Sequence, residues 1–203
     1  MGRKPVNKKR NNNFEKKDLY LNQLASVFKE HGISKYNMDT IAKELGVSKA
    51  TLYHYFKSKD EMLELITINI LQKISDAEKI LKDKSLKYID RYYHAIDLIS
   101  QNISDISTVL LEDIRNYYPR IWKDIQAVID YLSELLENYY NEGKTNKLFN
   151  DIDTKVLVLT DRLFFDAISD VDYLKKNKMS LQLLFDNYFK LKAFGFIKQH
   201  QSL

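Results

Sequence analysis

Apolar residues recur every three or four positions along almost the whole chain, and no stretch sustains the every-second-residue alternation of a strand. This spacing is typical of amphipathic α-helices. The 203 residues include only five glycines and two prolines, the residues that most often interrupt helices. The pattern therefore predicts an all-α protein.

Capping and breaking residues divide this pattern into about nine helices. Gly32 and Gly46 suit the turns that end the first two helices. Asn37, Ser48 and Ser58 suit the N-caps of the next three. The predicted helices span residues 15–31, 38–45, 49–56, 59–81, 86–103, 106–116, 120–142, 154–170 and 180–199.

Charge is distributed unevenly along the chain. Residues 1–60 hold thirteen Lys or Arg against six Asp or Glu, whereas the remaining residues hold nineteen against twenty-two. A basic end of this kind favours a polyanionic partner such as nucleic acid.

Several classes of protein are disfavoured by what the sequence lacks. Cysteine is absent, which excludes disulfides, cysteine nucleophiles and cysteine-ligated zinc. Four scattered histidines, without a glycine-rich phosphate loop or a paired metal-ligand motif, argue against an enzyme, and no metal or cofactor is expected. No apolar segment follows the basic N-terminus, and the most apolar run, residues 156–159, is far shorter than the ~20 residues of a membrane span. We expect a soluble, cytoplasmic protein.

A helix-turn-helix pattern lies between residues 38 and 56. Ile41 and Leu52 supply an apolar position in each helix, Ala42 the small residue where the helices touch, and Gly46 the turn. With Leu52 turned inward, the second of these helices presents polar residues suited to base edges and phosphates. They are Lys49, Ala50, Thr51, Tyr53, His54 and Tyr55.

The continuous run from Ile41 to Leu63, IAKELGVSKATLYHYFKSKDEML, resembles the DNA-binding domain of the tetracycline-repressor (TetR) family. The similarity extends back through Phe28 and Gly32 and covers about the first 63 residues closely, while the rest is similar only in length and helical pattern. The resemblance implies two domains. Residues 1–58 would form a three-helix DNA-binding domain with a basic N-terminal arm, and residues 59–203 a larger helical domain for ligand binding and dimerisation.

The resemblance also implies roles for individual residues. Three residues at the start of the third helix match positions that face base edges in the major groove: Lys49, Ala50 and Thr51. Tyr53 and Tyr55 match positions that bind phosphates, and Lys59 matches a phosphate clamp at the N-terminus of the fourth helix. The full set of candidate DNA-binding residues is Asn37, Ser48, Lys49, Ala50, Thr51, Tyr53, His54, Tyr55 and Lys59.

Some of these side chains have a second interpretation. Tyr53 and Tyr55 could instead pack on the core, and His54 could lie packed or solvated beside the phosphates. Asp39 departs from the family pattern, because relatives often have an arginine or a neutral residue there. Its carboxylate could accept from a cytosine amino group or simply favour the N-terminus of its own helix.

The last two long helices are the candidate dimer interface. Residues 154–171 are apolar on almost every side, which predicts a helix that is buried all round. Together with the last helix it would form half of a symmetric four-helix interface between two copies. A monomer with both helices in its core is the alternative.

A ligand pocket between the middle helices is expected from the resemblance. Aromatic richness suits a lipophilic or planar ligand, but its charge stays open: Glu112, Asp113 and Asp166 could recognise a cation, and Arg162 or His94 an anion. The candidate lining residues are Tyr92, Ile96, Leu110, Ile114, Trp122, Ile125, Arg162 and Phe165.

The resemblance thus implies a homodimeric repressor that binds a pseudo-palindromic, double-stranded DNA operator and is released by a small molecule bound in the C-terminal domain. The alternative is a DNA-binding factor whose C-terminal domain docks a protein partner.

Overall fold

The structure, a computed structural model, describes residues 7–168 and 170–197, with side chains described from residue 14 onward. Within these ranges the chain forms eleven α-helices and one isolated bridge between Phe149 and Ile197. The helices are α1 Asn7–His31, α2 Met38–Glu44, α3 Lys49–Tyr55, α4 Lys59–Ser75, α5 Ala77–Lys82, α6 Tyr88–Ile103, α7 Thr108–Tyr117, α8 Pro119–Thr145, α9 Thr154–Ile168, α10 Val171–Lys176 and α11 Leu181–Phe196.

The all-α prediction is confirmed, although the described ranges hold eleven helices where about nine were expected. The predicted helix 59–81 is divided at Asp76, a residue of low helix propensity whose carboxylate pairs with Lys79 at 2.6 Å. The short helix α10 was not predicted; Asp170 caps it by accepting from the Tyr173 N–H at 3.1 Å. Ser169 and residues 198–199, which also fell within predicted helices, lie outside the described residues.

The first helix begins at Asn7, eight residues earlier than the predicted start. The additional residues contain neither glycine nor proline and include lysines and an arginine, which favour helix. Part of the predicted basic arm is therefore helical, and residues 1–6 of that arm lie outside the described residues.

Helices α1 to α3 and the start of α4 share one small core, which we call the helix-turn-helix unit. Leu24, Phe28, Ile41 and Leu52 are fully buried in it, and Met62 from the first turn of α4 is buried as well. The later turns of α4 pack against α6 and α8 in the larger group of helices, α4 to α11, which we call the body. Because α4 contributes to both cores, the division at residue 58 stays a prediction.

Helices α9 and α11 pack side by side and leave one apolar stripe of each uncovered. The stripe residues are 50–74% exposed: Val156, Leu159, Leu163, Leu183, Leu191 and Phe194. Residues 154–171 are therefore not buried all round within one protomer, because one face of α9 has no neighbour among the described residues. No helix in the described ranges is long and apolar enough to cross a membrane.

Candidate nucleic-acid interface

The turn between α2 and α3 is set by the end of α2. The Val47 N–H donates to the Ala42 carbonyl at 2.9 Å and the Gly46 N–H donates to the Lys43 carbonyl at 3.1 Å, the two bonds of a Schellman motif. Gly46 has φ of +65°, a conformation that a side chain would strain. This turn orients α3, the reading helix, across α2.

The start of the reading helix is held by a side-chain cap. Ser48 Oγ accepts from the Thr51 N–H at 3.0 Å, and the two hydroxyl groups lie 2.8 Å apart. Leu52 is fully buried and anchors the helix from below. Lys49 and Ala50 are exposed, and Thr51 is half-buried. The three predicted base-facing residues therefore lie together on the first turn of an anchored helix.

The second turn of the reading helix carries the aromatic residues. Tyr53 is 49% exposed and His54 is exposed, so neither ring belongs to the core. Tyr55 is half-buried, and its ring lies edge-on to Tyr20 of α1, with centroids 5.3 Å apart. Tyr55 therefore packs partly against α1, as the second interpretation of the sequence expected, whereas Tyr53 projects into solvent.

Lys59, the predicted phosphate clamp, lies at the N-terminus of α4. Its ammonium donates to the Tyr36 carbonyl at 3.1 Å, which holds it beside the turn before α2. Ser58 caps α4 by accepting from the Glu61 N–H at 3.1 Å, and Glu61 accepts in turn from the Lys57 N–H at 2.6 Å. A fixed ammonium at a helix N-terminus, where the helix dipole is positive, favours an anion such as a phosphate.

Asp39 pairs with Lys49, the first residue of the reading helix. Their charged groups are 2.8 Å apart, and the carboxylate raises the pKa of Lys49 by accepting a hydrogen bond from its ammonium. Asn37, also a candidate DNA-binding residue, caps α2 by accepting from the Asp39 and Thr40 N–H groups at 3.0 Å. Both residues hold α2 in place, and Asp39 also positions a lysine on the reading helix.

The candidate interface combines amines, hydroxyls and one imidazole on a single exposed face, a set that can donate to phosphates and base edges. Among the described residues, no group of three or more His, Asp or Glu could hold a metal ion.

An apolar cavity of about 70 Å³ lies inside the body, between α4, α6, α7, α8, α9 and α11. Sites for drug-sized ligands are usually larger, ~300–1,000 Å³, so helices must move apart to admit such a ligand. The lining residues are Leu71, Ile74, Ile99, Ile103, Ile106, Leu111, Trp122, Ile125, Val128, Ile129, Leu132, Phe165, Ile168, Leu181 and Phe185.

The structure brings three of the eight predicted lining residues to this cavity: Trp122, Ile125 and Phe165. Tyr92 and Ile96 line a separate groove between α6 and α11. Leu110 and Ile114 are buried elsewhere along α7.

The charged candidates also lie outside the cavity. Arg162 is exposed, 3.7 Å from Asp130. Glu112 and Asp166 border an open groove that meets the cavity at Trp122. Asp113 is buried and contacts the turn after α1.

A buried charge cluster between α9 and α11 was not predicted. The Asp161 carboxylate pairs with the Lys192 ammonium and accepts from the Tyr140 and Tyr188 hydroxyls, each at 3.0 Å. A charged residue on the apolar face of each helix, Asp161 on α9 and Lys192 on α11, was the sequence signal that could have indicated such a pair.

Comparison with known proteins agrees with this arrangement. Residues 21–66 match the family model described as "Bacterial regulatory proteins, tetR family". The HTH-type transcriptional regulator YvaF of Bacillus subtilis (strain 168) is 25% identical over 146 residues, covering 71% of this chain and 75% of that protein. IcaR, the HTH-type negative transcriptional regulator of the biofilm operon icaADBC in Staphylococcus aureus (strain Newman), is 23% identical over 155 residues, covering 74% of this chain and 83% of that protein.

Among solved structures, a transcriptional regulator from Saccharomonospora viridis in complex with choline superposes with a TM-score of 0.68. It is 15% identical, and the match covers 91% of this chain and 99% of that one. At this identity the likeness shows the fold alone.

A helix-turn-helix unit with an exposed polar reading helix, joined to a larger helical body, is the arrangement of a DNA-binding transcriptional regulator. Residues 21–66 carry the DNA-binding domain of the TetR family, and the similarity to helix-turn-helix transcriptional regulators extends over most of the chain.

Proposed function

We propose that this regulator is a homodimeric repressor, released from its operator when a small apolar molecule enters the cavity of the body. The observation that carries the proposal is the course of α4. Its first turn is buried in the helix-turn-helix unit through Met62, and its last turns line the cavity through Leu71 and Ile74. A ligand that enlarges the cavity displaces the same helix that positions the DNA-binding surface.

The uncovered stripes of α9 and α11 support the dimer. On α9 the exposed apolar residues lie at positions 156, 159 and 163, which is the spacing of one helical face. Two such helices from each copy form a four-helix interface with apolar contacts on both sides. A symmetric pair of reading helices then contacts two half-sites whose separation is a multiple of one DNA turn.

The relatives support repression and ligand control. IcaR is named as a negative regulator, and the Saccharomonospora viridis regulator was solved with choline bound. The cavity here is lined by apolar residues, so its ligand is apolar where it contacts the wall.

The test of release begins with an operator selected from a randomised duplex pool. Trp122 lies in the cavity wall and is the single tryptophan of the chain, so its fluorescence reports cavity occupancy. Naphthalene and 1-decanol serve as apolar probes. A probe that changes Trp122 fluorescence should also release the operator over the same concentration range. A probe that fills the cavity and leaves operator affinity unchanged would contradict ligand-induced release.

Filling the cavity should abolish the response to these probes. Ile125→Phe adds ring volume at a lining position, and overpacking of this kind costs about 1–3 kcal/mol of folding stability where space is short. We expect operator binding to persist while the probes no longer change Trp122 fluorescence. Ile125→Leu is the matched control, since it keeps the volume and should keep the response. Retention of the full response by Ile125→Phe would place the probe site elsewhere.

The DNA contacts can be separated by salt dependence. Lys59→Ala should weaken binding to every duplex and lower the slope of log affinity against log salt by about one unit per helix-turn-helix unit, because one phosphate loses its cation. Tyr53→Phe should weaken binding with the slope unchanged, because the hydroxyl is neutral. Lys49→Ala should in addition alter the sequence preference. Binding isotherms at several salt concentrations give all three results.

The control for these variants is Lys123→Ala, which removes an exposed lysine from α8 of the body. It should leave both affinity and slope at wild-type values. The assignment of Lys59 to a phosphate fails if Lys59→Ala behaves like this control.

A further inference from the structure

A buried carboxylate joins the body to the helix-turn-helix unit. Asp113 lies on α7, is only 7% exposed, and accepts hydrogen bonds from the Ile33 N–H at 2.7 Å and the Ser34 N–H at 2.8 Å. Both N–H groups belong to the turn that follows α1. One side-chain oxygen of the body therefore satisfies two backbone donors of the DNA-binding unit, a charge-assisted arrangement stronger than neutral hydrogen bonds.

The turn that Asp113 contacts is closely packed against α7. Gly32 has φ of +75°, and a Cβ added there would lie 2.5 Å from Asp113 Oδ2 and 3.0 Å from Val109 of the same helix α7. Ile33, the next residue, is fully buried in the core of the helix-turn-helix unit. A displacement of α7 therefore reaches that core through the short side chains of Asp113 and Val109, which pack directly on the turn.

The same helix also borders the cavity. Leu111, two residues before Asp113, is one of the cavity-lining residues. Two ion pairs between the body and the helices α1 and α4 are exposed, Lys29 with Asp105 at 3.5 Å and Arg120 with Glu64 at 3.5 Å. Exposed pairs of this kind contribute little. Asp113 is thus a buried polar connection between cavity wall and DNA-binding unit, separate from the connection through α4.

We propose that Asp113 is a positioning residue, which fixes the orientation of the helix-turn-helix unit on the body and so sets the separation of the two reading helices. The inference rests on the proposed dimeric repressor. Without the carboxylate each unit still binds its own half-site, but two units no longer meet both half-sites at the required spacing. The affinity gained by binding both half-sites at once is then reduced, whereas the affinity of one unit for its half-site is unchanged.

The test compares three duplexes made from the selected operator: a single half-site, the full site, and the full site with its spacer lengthened by two base pairs. Asp113→Ala should bind the half-site as the wild type does, bind the full site about tenfold or more weakly, and discriminate less against the lengthened spacer. Asp113→Asn keeps an oxygen acceptor and should restore most of the full-site affinity. Arg120→Ala, which breaks an exposed contact between α8 and α4, is the control and should match the wild type.

A second measurement does not depend on dimerisation. The chain has no cysteine, so spin labels on Lys43→Cys and Lys123→Cys report the distance between the helix-turn-helix unit and the body. Asp113→Ala should broaden this distance distribution, and hydrogen exchange should show faster exchange at the amides of Ile33 and Ser34.

The outcomes separate the inference from the proposed function. If the wild type is monomeric or does not discriminate between the spacers, the dimeric mechanism fails, and the spin-label distances still decide whether Asp113 orients the unit. If the wild type discriminates and Asp113→Ala does so equally, the inference is overturned. Equal weakening of half-site and full-site binding would also overturn it, because Asp113 would then only stabilise the helix-turn-helix unit itself.

Discussion

Leu163→Glu is expected to give a monomeric protein whose affinity for the full operator is about 10²–10⁴-fold lower, the range usually gained by linking two binding units. Leu163 belongs to the uncovered stripe of α9 and is 57% exposed in one protomer. In the proposed interface, the glutamate would be desolvated beside its symmetry-related copy, which opposes association. Sedimentation velocity gives the oligomeric state, and binding to full-site and half-site duplexes gives the affinity.

The matched control is Tyr117→Glu, since Tyr117 is 64% exposed but lies on α7, away from these stripes. It introduces the same charge and should leave the protein dimeric, with wild-type binding to both duplexes. Half-site binding by Leu163→Glu should also equal that of the wild type, because the reading helix is unchanged. A dimer that persists in Leu163→Glu would place the interface on another surface.

The helix-turn-helix unit could be predicted from sequence because the signals that form it are local. Asn37, Ser48 and Ser58 each cap the helix that directly follows them. Gly46 and Val47 end α2 by donating to carbonyls three and five positions earlier, respectively. A cap or turn of this kind is readable within a few residues of sequence. The order and bounds of α2 and α3 were therefore predicted to within one residue.

The body was less predictable because its contacts join residues far apart in sequence. Apolar spacing identified Leu110 and Ile114 as buried but could not tell which neighbour each would meet, and neither lines the cavity. Asp113 was considered as a cation ligand, whereas its partners lie about 80 residues earlier in the chain. Periodicity predicts which face of a helix is buried, and tertiary packing decides what that face touches.

Removal of one partner from the charge cluster between α9 and α11 is expected to destabilise the body strongly. Asp161 is fully buried and the side chain of Lys192 is 6% exposed, so solvent screens their attraction little. Burial raises the pKa of Asp161 and lowers the pKa of Lys192, since desolvation disfavours both charges and outweighs the attraction that offsets it. Removal of either partner should therefore cost about 3–5 kcal/mol, because the other charge is left buried alone.

The two single variants should differ in the sign of their pH dependence. In Lys192→Met the raised pKa of Asp161 rises further, and a group with a raised folded-state pKa loses its stabilising contribution as pH increases through that pKa. The destabilisation should be larger at about pH 8 than at about pH 5. In Asp161→Leu the lowered pKa of Lys192 falls further, so stability is lost as pH decreases and the destabilisation should be larger at about pH 5. Urea denaturation at both pH values measures this.

The double variant Asp161→Leu with Lys192→Met separates charge from packing. It leaves no unpaired charge, so its loss should be smaller than that of either single variant. The loss should not vanish, because the hydroxyl of the fully buried Tyr140 loses its acceptor, at a cost of about 1–3 kcal/mol, whereas Tyr188 is half-buried and can reach water. The two residues would stabilise the body by packing alone if two results were found together. The losses of unfolding free energy in the single variants would add up to the loss in the double variant, and none of them would change with pH.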